Sequence, residues 1–211
     1  MNKIEQALQR ARDTKALIIG RGTVCRTAEM FAELFPGQRA VIVADENTWE
    51  VAGRNAQASL DAAGIVSEKP YIFPAKDFYA EWQHIESLKS FLETVDAVAI
   101  AVGSGVINDT VKLVSHMLGR RYMCVGTAAS MDGFTAYGAS ITKDGNKQTF
   151  DCPAPLGFVL DSEIAAAAPK ELAASGYADL IAKIPAGADW MLADVVGSEK
   201  IDSFAWDLVQ N

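Results

Sequence analysis

The chain has 211 residues, half of them hydrophobic and 22% charged, a balance typical of a folded globular protein that excludes intrinsic disorder. Its 27 acidic and 19 basic residues give a net charge of −8, which argues against a nucleic-acid partner. Three widely spaced cysteines, the lack of a signal-peptide pattern and the lack of a bilayer-length apolar run predict a cytoplasmic protein with free thiols and no membrane partner.

Apolar strand patterns alternate with helical patterns through the first two thirds of the chain. Uninterrupted apolar strands separated by helices are typical of a parallel sheet that is covered on both faces. The predicted fold class is therefore α/β, with a doubly wound, mostly parallel sheet. Strands are expected at 16–19, 40–44, 71–73, 97–102 and 122–125, and helices at about 24–35, 49–63, 80–94 and 105–118.

The pattern changes after Val125. Two further strands, at 134–142 and 147–150, flank an Asp-Gly pair, and this arrangement predicts a β-hairpin. One more short strand is expected at 156–160.

From Glu163 onward the sequence is Ala-rich and helical. This shift predicts two domains, an α/β domain at 1–161 and the start of a helical domain at 162–211. Helices without a complete core leave apolar surface exposed, so self-association is expected. Breaks between these helices are expected at Pro169, Gly176, Pro185 and Gly197.

Two glycine turns join a strand to a helix, Gly20-Arg21-Gly22 and Gly103-Ser104-Gly105. Such turns bind phosphate when the first N–H groups of the helix point at the anion, but they are also common structural joints. Asp45 ends the second strand, where a carboxylate can accept the ribose hydroxyls of a dinucleotide or can cap the next helix. Both interpretations stay open for Asp45.

Other polar residues have ordinary structural explanations. Asn108 and Asp109 fit the first turn of a helix, where an acid interacts well with the dipole. The spacing of Asp179 and Lys183 favours a surface ion pair on one helix. The two histidines, His84 and His116, lie in amphipathic patterns without metal-ligand spacing and are interpreted as structural.

Several motifs together resemble the glycerol-1-phosphate dehydrogenases, which are grouped with glycerol dehydrogenases, iron-type alcohol dehydrogenases and dehydroquinate synthases. The resemblance covers nearly the whole chain, and its most specific parts are SMDG and GYADLIAK. The motifs, in order, are DENT at 45–48, VGSGVIND at 102–109, TAASMDG at 127–133, GYADLIAK at 176–183 and DW at 189–190.

The resemblance implies a Rossmann-like, dehydroquinate synthase-like domain followed by a helical metal domain, with the active site between them. It implies an NAD(P)- and metal-dependent interconversion of dihydroxyacetone phosphate and sn-glycerol 1-phosphate, an activity of phospholipid metabolism. Asp132 would contact the substrate, while Asp179 would be catalytic and bind both substrate and metal. The cofactor-binding residues would be Asp45, Gly103, Ser104, Gly105, Val106, Ile107, Asn108, Asp109, Thr127 and Ser130.

The chain departs from the family pattern in two places. Relatives complete the metal site with two histidines on later helices, but no histidine follows Asp179 here, and Ala136 stands where many relatives have a serine. Zinc, nickel or iron is therefore expected only if those histidines are supplied, and this amino-terminal portion alone is expected to be impaired or inactive. The alternatives are a glycerol dehydrogenase-type polyol oxidoreductase and a non-catalytic nucleotide-binding module; in either case a homo-oligomer is expected.

Overall fold

The structure, a computed structural model, describes residues 3–210, so the ends of the two predicted domains at Met1, Asn2 and Asn211 lie outside the described residues. Its strands are β1 (Ala16–Gly20), β2 (Ala40–Asp45), β3 (Tyr71–Phe73), β4 (Val98–Gly103), β5 (Met123–Gly126), β6 (Ala139–Lys143), β7 (Asn146–Phe150) and β8 (Gly157–Asp161). Its helices are α1 (Lys3–Arg10), α2 (Thr27–Leu34), α3 (Glu46–Thr48), α4 (Arg54–Ala62), α5 (Trp82–Glu93), α6 (Gly105–Met117), α7 (Ser162–Ala167), α8 (Lys170–Ile181), α9 (Lys183–Val195) and α10 (Ser203–Gln210).

Six strands form one parallel sheet in the order β1-β8-β5-β4-β2-β3. This confirms the predicted doubly wound α/β fold. The order reverses between the neighbours β2 and β4, because the chain proceeds from β2 to one edge and from β4 toward the other. In open α/β sheets, ligands bind at the carboxyl ends of the strands where such a reversal occurs.

The sheet is covered on both faces, which explains why its central strands are apolar at every position. In β2, Val41 and Val43 face the cluster that includes α5 and α6, whereas Ile42 faces the cluster that includes α2 and α4. Side chains alternate between the faces of a strand, so a strand buried on both sides needs apolar residues throughout.

The predicted hairpin is present as the antiparallel pair β6–β7. Its turn residues Asp144 and Gly145 both have positive φ, as two-residue hairpin turns require. The first strand begins at Ala139 rather than at Phe134, because Gly133–Thr135 forms a 3-10 turn.

Two predicted helix breaks, at Gly176 and Pro185, are wrong. Gly176 lies inside α8, where its missing side chain permits a close contact with a neighbouring loop. Pro185 lies in the first turn of α9, where a backbone N–H has no intrahelical partner and its loss costs little. Beyond Asp161 the described elements are all helical, and the division into two domains stays a prediction.

Helices α8 and α9 expose many large apolar side chains, as the sequence predicted. Ile184 is 71% exposed and Val195 is 83% exposed, and Leu180 and Leu192 are similarly open. None of the helices within residues 3–210 combines the length and the apolar character needed to cross a membrane.

We therefore expect the 211-residue chain to self-associate through α8 and α9. Replacing Ile184 and Leu192 together by aspartate should shift it to a monomer in size-exclusion chromatography with light scattering, because charge opposes burial of that surface. Val66→Asp, at an exposed apolar residue outside these helices, is the control and should leave the association state unchanged. A monodisperse wild-type monomer would contradict the expectation.

Candidate functional site

A cavity of about 840 Å³ lies along the carboxyl edge of the sheet, at the reversal between β2 and β4. Its volume is within the usual range of small-molecule and cofactor sites. Its walls come from residues at or just beyond the strand ends, chiefly Asp45 at the end of β2, Ser104–Ile107 after β4, and Thr127, Ser130 and Met131 after β5. Segments of α7 and α8, including Ile164 and Leu172, close the far side.

The start of α6 opens onto this cavity. Ser104 occupies the N-cap position, but its hydroxyl does not cap the helix and instead shares a short hydrogen bond with the hydroxyl of Ser130. The N–H groups of Gly105, Val106 and Ile107 lie in the first turn, where no intrahelical acceptor is available. This helix start can therefore receive an anion from the cavity.

Gly103 permits this geometry at the end of β4. A Cβ at Gly103 would lie 2.7 Å from the side chain of Ile107, which is itself buried. Glycine thus lets the first turn of α6 fold back over the strand end.

The other glycine turn already contains an anion. The carboxylate of Asp161, at the end of β8, accepts N–H bonds from Gly22 at 3.1 Å, Val24 at 3.2 Å and Glu163 at 3.0 Å. Burial opposes its charge, but these N–H groups outweigh burial and hold the pKa of Asp161 below its usual range. The turn at Gly20-Arg21-Gly22 is therefore a structural joint.

Asp45 does cap a helix, and it also lines the cavity. Its Oδ1 accepts the N–H of Thr48 at 2.9 Å, and the Thr48 hydroxyl accepts the N–H of Asp45 at 3.0 Å. The cap and the cavity wall are thus combined in one residue, so the observed capping leaves the ribose hypothesis open.

Asn108 and Asp109 belong to the side of α6 that faces the hairpin, and they do not line the cavity. Asn108 is fully buried, donates to the carbonyl of Phe134 and accepts from the Tyr122 hydroxyl. Asp109 accepts the N–H of Ser140 at 3.0 Å. Neither side chain is available to the predicted diphosphate, because both hold α6 against its neighbours, and the backbone N–H of Asn108 donates to the carbonyl of Ser104 at 3.0 Å.

Lys112 was missed by sequence reasoning. This lysine is only 1% exposed, and it donates to the carbonyls of Ala136 and Gly138 with Asp109 Oδ1 3.4 Å away. Its spacing from Asp109 in the helical pattern was the available signal, but such a pair is more often found at the surface.

Asp132, Asp179 and Lys183 come together beside the cavity, next to its wall residue Met131. The expected ion pair between Asp179 and Lys183 is wrong, because Lys183 Nζ lies 2.5 Å from Asp132 Oδ2 instead. Asp179 Oδ2 accepts the backbone N–H of Asp132 at 3.0 Å. This hydrogen bond from the Asp132 N–H, together with the nearby charge of Lys183, lowers the pKa of Asp179.

This carboxylate pair does not make a complete metal centre. Zinc sites use about three or four protein ligands. Across residues 3–210, no three histidine, cysteine, aspartate or glutamate side chains are grouped so that they could hold an ion. Asp132 and Asp179 by themselves do not fit a metal ion.

The two histidines both lie in helices, as the sequence predicted. His84 contacts the rings of Phe73 and Phe78 edge-on, at 5.6 and 4.9 Å between centroids. Burial lowers the pKa of His84, which favours the neutral ring. His116 lies in the last turn of α6.

Comparison with known proteins identifies the family of this chain. Residues 18–169 match the family model described as iron-containing alcohol dehydrogenase. The chain belongs to the iron-containing alcohol dehydrogenase family. The match runs from within β1 to the residue before α8, so it includes nearly all of the sheet and most of the cavity wall.

Similar proteins include a glycerol-1-phosphate dehydrogenase [NAD(P)+] of Bacillus velezensis, with 33% identity over 81% of this chain and 44% of the relative. Among solved structures, a probable glycerol dehydrogenase from Sinorhizobium meliloti aligns with a TM-score of 0.67 and 23% identity over 79% of this chain and 44% of that one. An iron-containing alcohol dehydrogenase from Thermotoga maritima aligns with a TM-score of 0.70 and 16% identity over 81% of this chain and 52% of that one. The chain spans about half the length of the curated relatives it matches.

The role of Asp161 yields a stability prediction. Asp161→Asn should lower the free energy of unfolding at pH 7 by about 3 kcal/mol, because hydrogen bonds to a charged group are worth about 1.5–3 kcal/mol each and the amide cannot accept all of them. Urea denaturation measures this loss.

The loss should depend on pH in a defined direction. Because the folded pKa of Asp161 lies below the unfolded value of about 3.9, the charge stabilises the fold above that value and its contribution disappears as the pH falls through the folded pKa. The gap between wild type and variant should therefore narrow below about pH 4. Asp151→Asn, at an exposed carboxylate, is the control; an equal loss in both variants would refute the assignment.

Proposed function

We propose that this chain binds NAD(P) along the cavity and supplies the dinucleotide-binding region of a polyol dehydrogenase. The observation that carries the proposal is the uncapped start of α6 at the sheet reversal, which opens onto the cavity while the other glycine turn is filled by Asp161. A helix start at this position is a ready anion site, and a dinucleotide diphosphate is the anion that a cavity of this size accommodates.

Each wall of the cavity would hold a different part of the cofactor. The N–H groups of Gly105, Val106 and Ile107 would bind the diphosphate, and Asp45 would accept ribose hydroxyls. Thr127 and Ser130 would line the nicotinamide side, with Met131 as an apolar neighbour. NAD(P) supplies the hydride chemistry when bound, while the chain orients the ring and excludes water.

Dihydroxyacetone phosphate and glycerol 1-phosphate form the substrate pair we favour. The support is the glycerol-1-phosphate dehydrogenase assignment of the Bacillus velezensis relative, together with the charged group beside the cavity. Asp132 and Asp179 would hydrogen-bond the polyol hydroxyls next to the nicotinamide. A divalent metal is left out of this proposal, because these two carboxylates do not complete a site.

Binding and turnover of NADH test the proposal separately. Isothermal titration should show one NADH site per chain, and a double variant that fills the cavity end of α6, Gly105→Val with Val106→Trp, should abolish it by obstructing the helix start. NADH oxidation with dihydroxyacetone phosphate, with and without Zn²⁺, then measures catalysis. Binding without turnover would support a non-catalytic nucleotide-binding module, and absence of NADH binding would refute the proposal.

Asp45 gives a second test, because its capping hydrogen bond and its negative charge can be removed by different substitutions. Asp45→Asn keeps an N-cap acceptor but removes the charge that repels the 2′-phosphate of NADPH. We expect this variant to weaken NADH and strengthen NADPH, so the ratio of dissociation constants should shift by about tenfold, or about 1.4 kcal/mol. Asp45→Ala, which loses cap and charge, should also lower the melting temperature. Equal changes for both cofactors would show that Asp45 only caps α3.

A further inference from the structure

One face of the helices α8 and α9 contacts the loop that follows β5. Gly176, Asp179 and Lys183 are separated by three and four positions, so they lie on the same side. Each contacts the segment 127–133, hereafter the β5 loop. The SMDG motif at 130–133 and the GYADLIAK motif at 176–183 are thereby brought together.

Gly176 makes the closest of these contacts. A Cβ placed on Gly176 would lie 2.0 Å from the carbonyl oxygen of Ala129 and 2.9 Å from its carbonyl carbon. Both atoms are backbone, so neither can rotate away as a side chain could. Glycine is therefore required at this position for the helix to lie against the β5 loop.

Two polar contacts extend the same interface by two turns. The backbone N–H of Asp132 donates to Asp179 Oδ2 at 3.0 Å, and Lys183 Nζ reaches Asp132 Oδ2 at 2.5 Å. The Lys183 side chain is 42% exposed, so its worth as a surface ion pair alone would be small. Its effect is geometric, because it fixes the carboxylate of the residue that also donates to Asp179.

The opposite side of the β5 loop touches the start of α6. The hydroxyl of Ser130 is hydrogen-bonded to that of Ser104, and Met131 Sδ would be 3.3 Å from a Cβ on Gly105. The N–H of Thr127 donates to the carbonyl of Gly103 at 3.2 Å. The β5 loop is therefore held between α6 on one side and α8 and α9 on the other.

We propose that Gly176 and Lys183 are positioning residues that hold the β5 loop against the start of α6 and thereby shape the dinucleotide site. Neither residue lines the cavity. They act through Ala129 and Asp132, whose neighbours Ser130 and Met131 do line it. The link from loop position to cofactor affinity rests on the proposed function, whereas the docking of the loop does not.

Hydrogen exchange of the ligand-free chain tests the docking directly. Gly176→Ala should increase amide exchange in peptides that cover 127–133 and 104–107 by about tenfold, because the added methyl group displaces the loop. Gly187→Ala, in α9, is the matched control: the nearest atoms to the new Cβ belong to the terminal amide of Gln210, which donates to the Lys183 carbonyl and, unlike a backbone carbonyl, can rotate away. Both substitutions favour helix formation by about 1 kcal/mol, so this gain cancels when the two variants are compared, and of the two only Gly176→Ala places a methyl group against the backbone of the β5 loop.

Lys183 supplies an independent test in which Gly176 is untouched. Lys183→Met should increase exchange in the same peptides, and Lys183→Arg should restore protection, because arginine can still bond Asp132. In NADH titrations, Gly176→Ala and Lys183→Met should each raise the dissociation constant by about tenfold, or about 1.4 kcal/mol. Gly187→Ala and Lys183→Arg should keep the wild-type value.

The outcomes separate this inference from the proposed function. Unchanged exchange in Gly176→Ala and Lys183→Met would overturn the docking, whatever NADH does. Increased exchange with an unchanged NADH dissociation constant would overturn the positioning role. A wild-type chain that does not bind NADH would refute the proposed function, and the exchange data would still decide whether the two residues hold the loop.

Discussion

The structure depends on how backbone N–H groups are satisfied where strands end and turns or helices begin. Glycine turns after β1 and after β4 each present several such donors at the carboxyl edge of the sheet. Unpaired donors are costly once buried, so each set needs an acceptor. Asp161 supplies the acceptor after β1, and the donors after β4 are left facing the cavity. This difference between two turns of similar sequence distinguishes a structural joint from the proposed binding site.

The position of α6 is fixed by the side chains on the face that points away from the cavity. Asn108, Asp109 and Lys112 all bond to the segment between the β5 loop and the hairpin, or to the hairpin itself. Lys112 satisfies two carbonyls from a fully buried position, an arrangement that tolerates little movement. The start of α6 is thus anchored from behind by polar contacts while its front stays open. A helix fixed in this way presents its N–H groups without the cost of ordering them on binding.

The sequence predicted the strands of the sheet closely, because strands that are buried on both faces are apolar at every position and are separated along the chain by helices. It also located the turn at Gly103 and the wall residues Asp45, Thr127 and Ser130. It could not distinguish the two glycine turns, since the role of Asp161 arises from a strand that is far away in sequence. The partners of Gly176 and Lys183 were missed for the same reason: each is set by the packing of α8 on a distant loop, and local spacing favoured a helix break and an ion pair with Asp179 instead.

The position of β8 has a consequence for the order in which the chain can fold. β8 is inserted between β1 and β5, and Ala16 is paired with Gly157, so β1 has no neighbour in the sheet until β8, the last strand of residues 3–210, is available. During synthesis from the amino terminus, the edge of β1 therefore stays unpaired until residues 157–161 have been made. Long-range parallel pairing of this kind is slow and exposes partly formed sheets to aggregation. The amphipathic helix α1 and the charged turn at Arg21 flank β1 in the sequence. Charged groups beside an unpaired strand oppose its pairing with other chains, so these two segments protect the edge of β1 until β8 pairs with it.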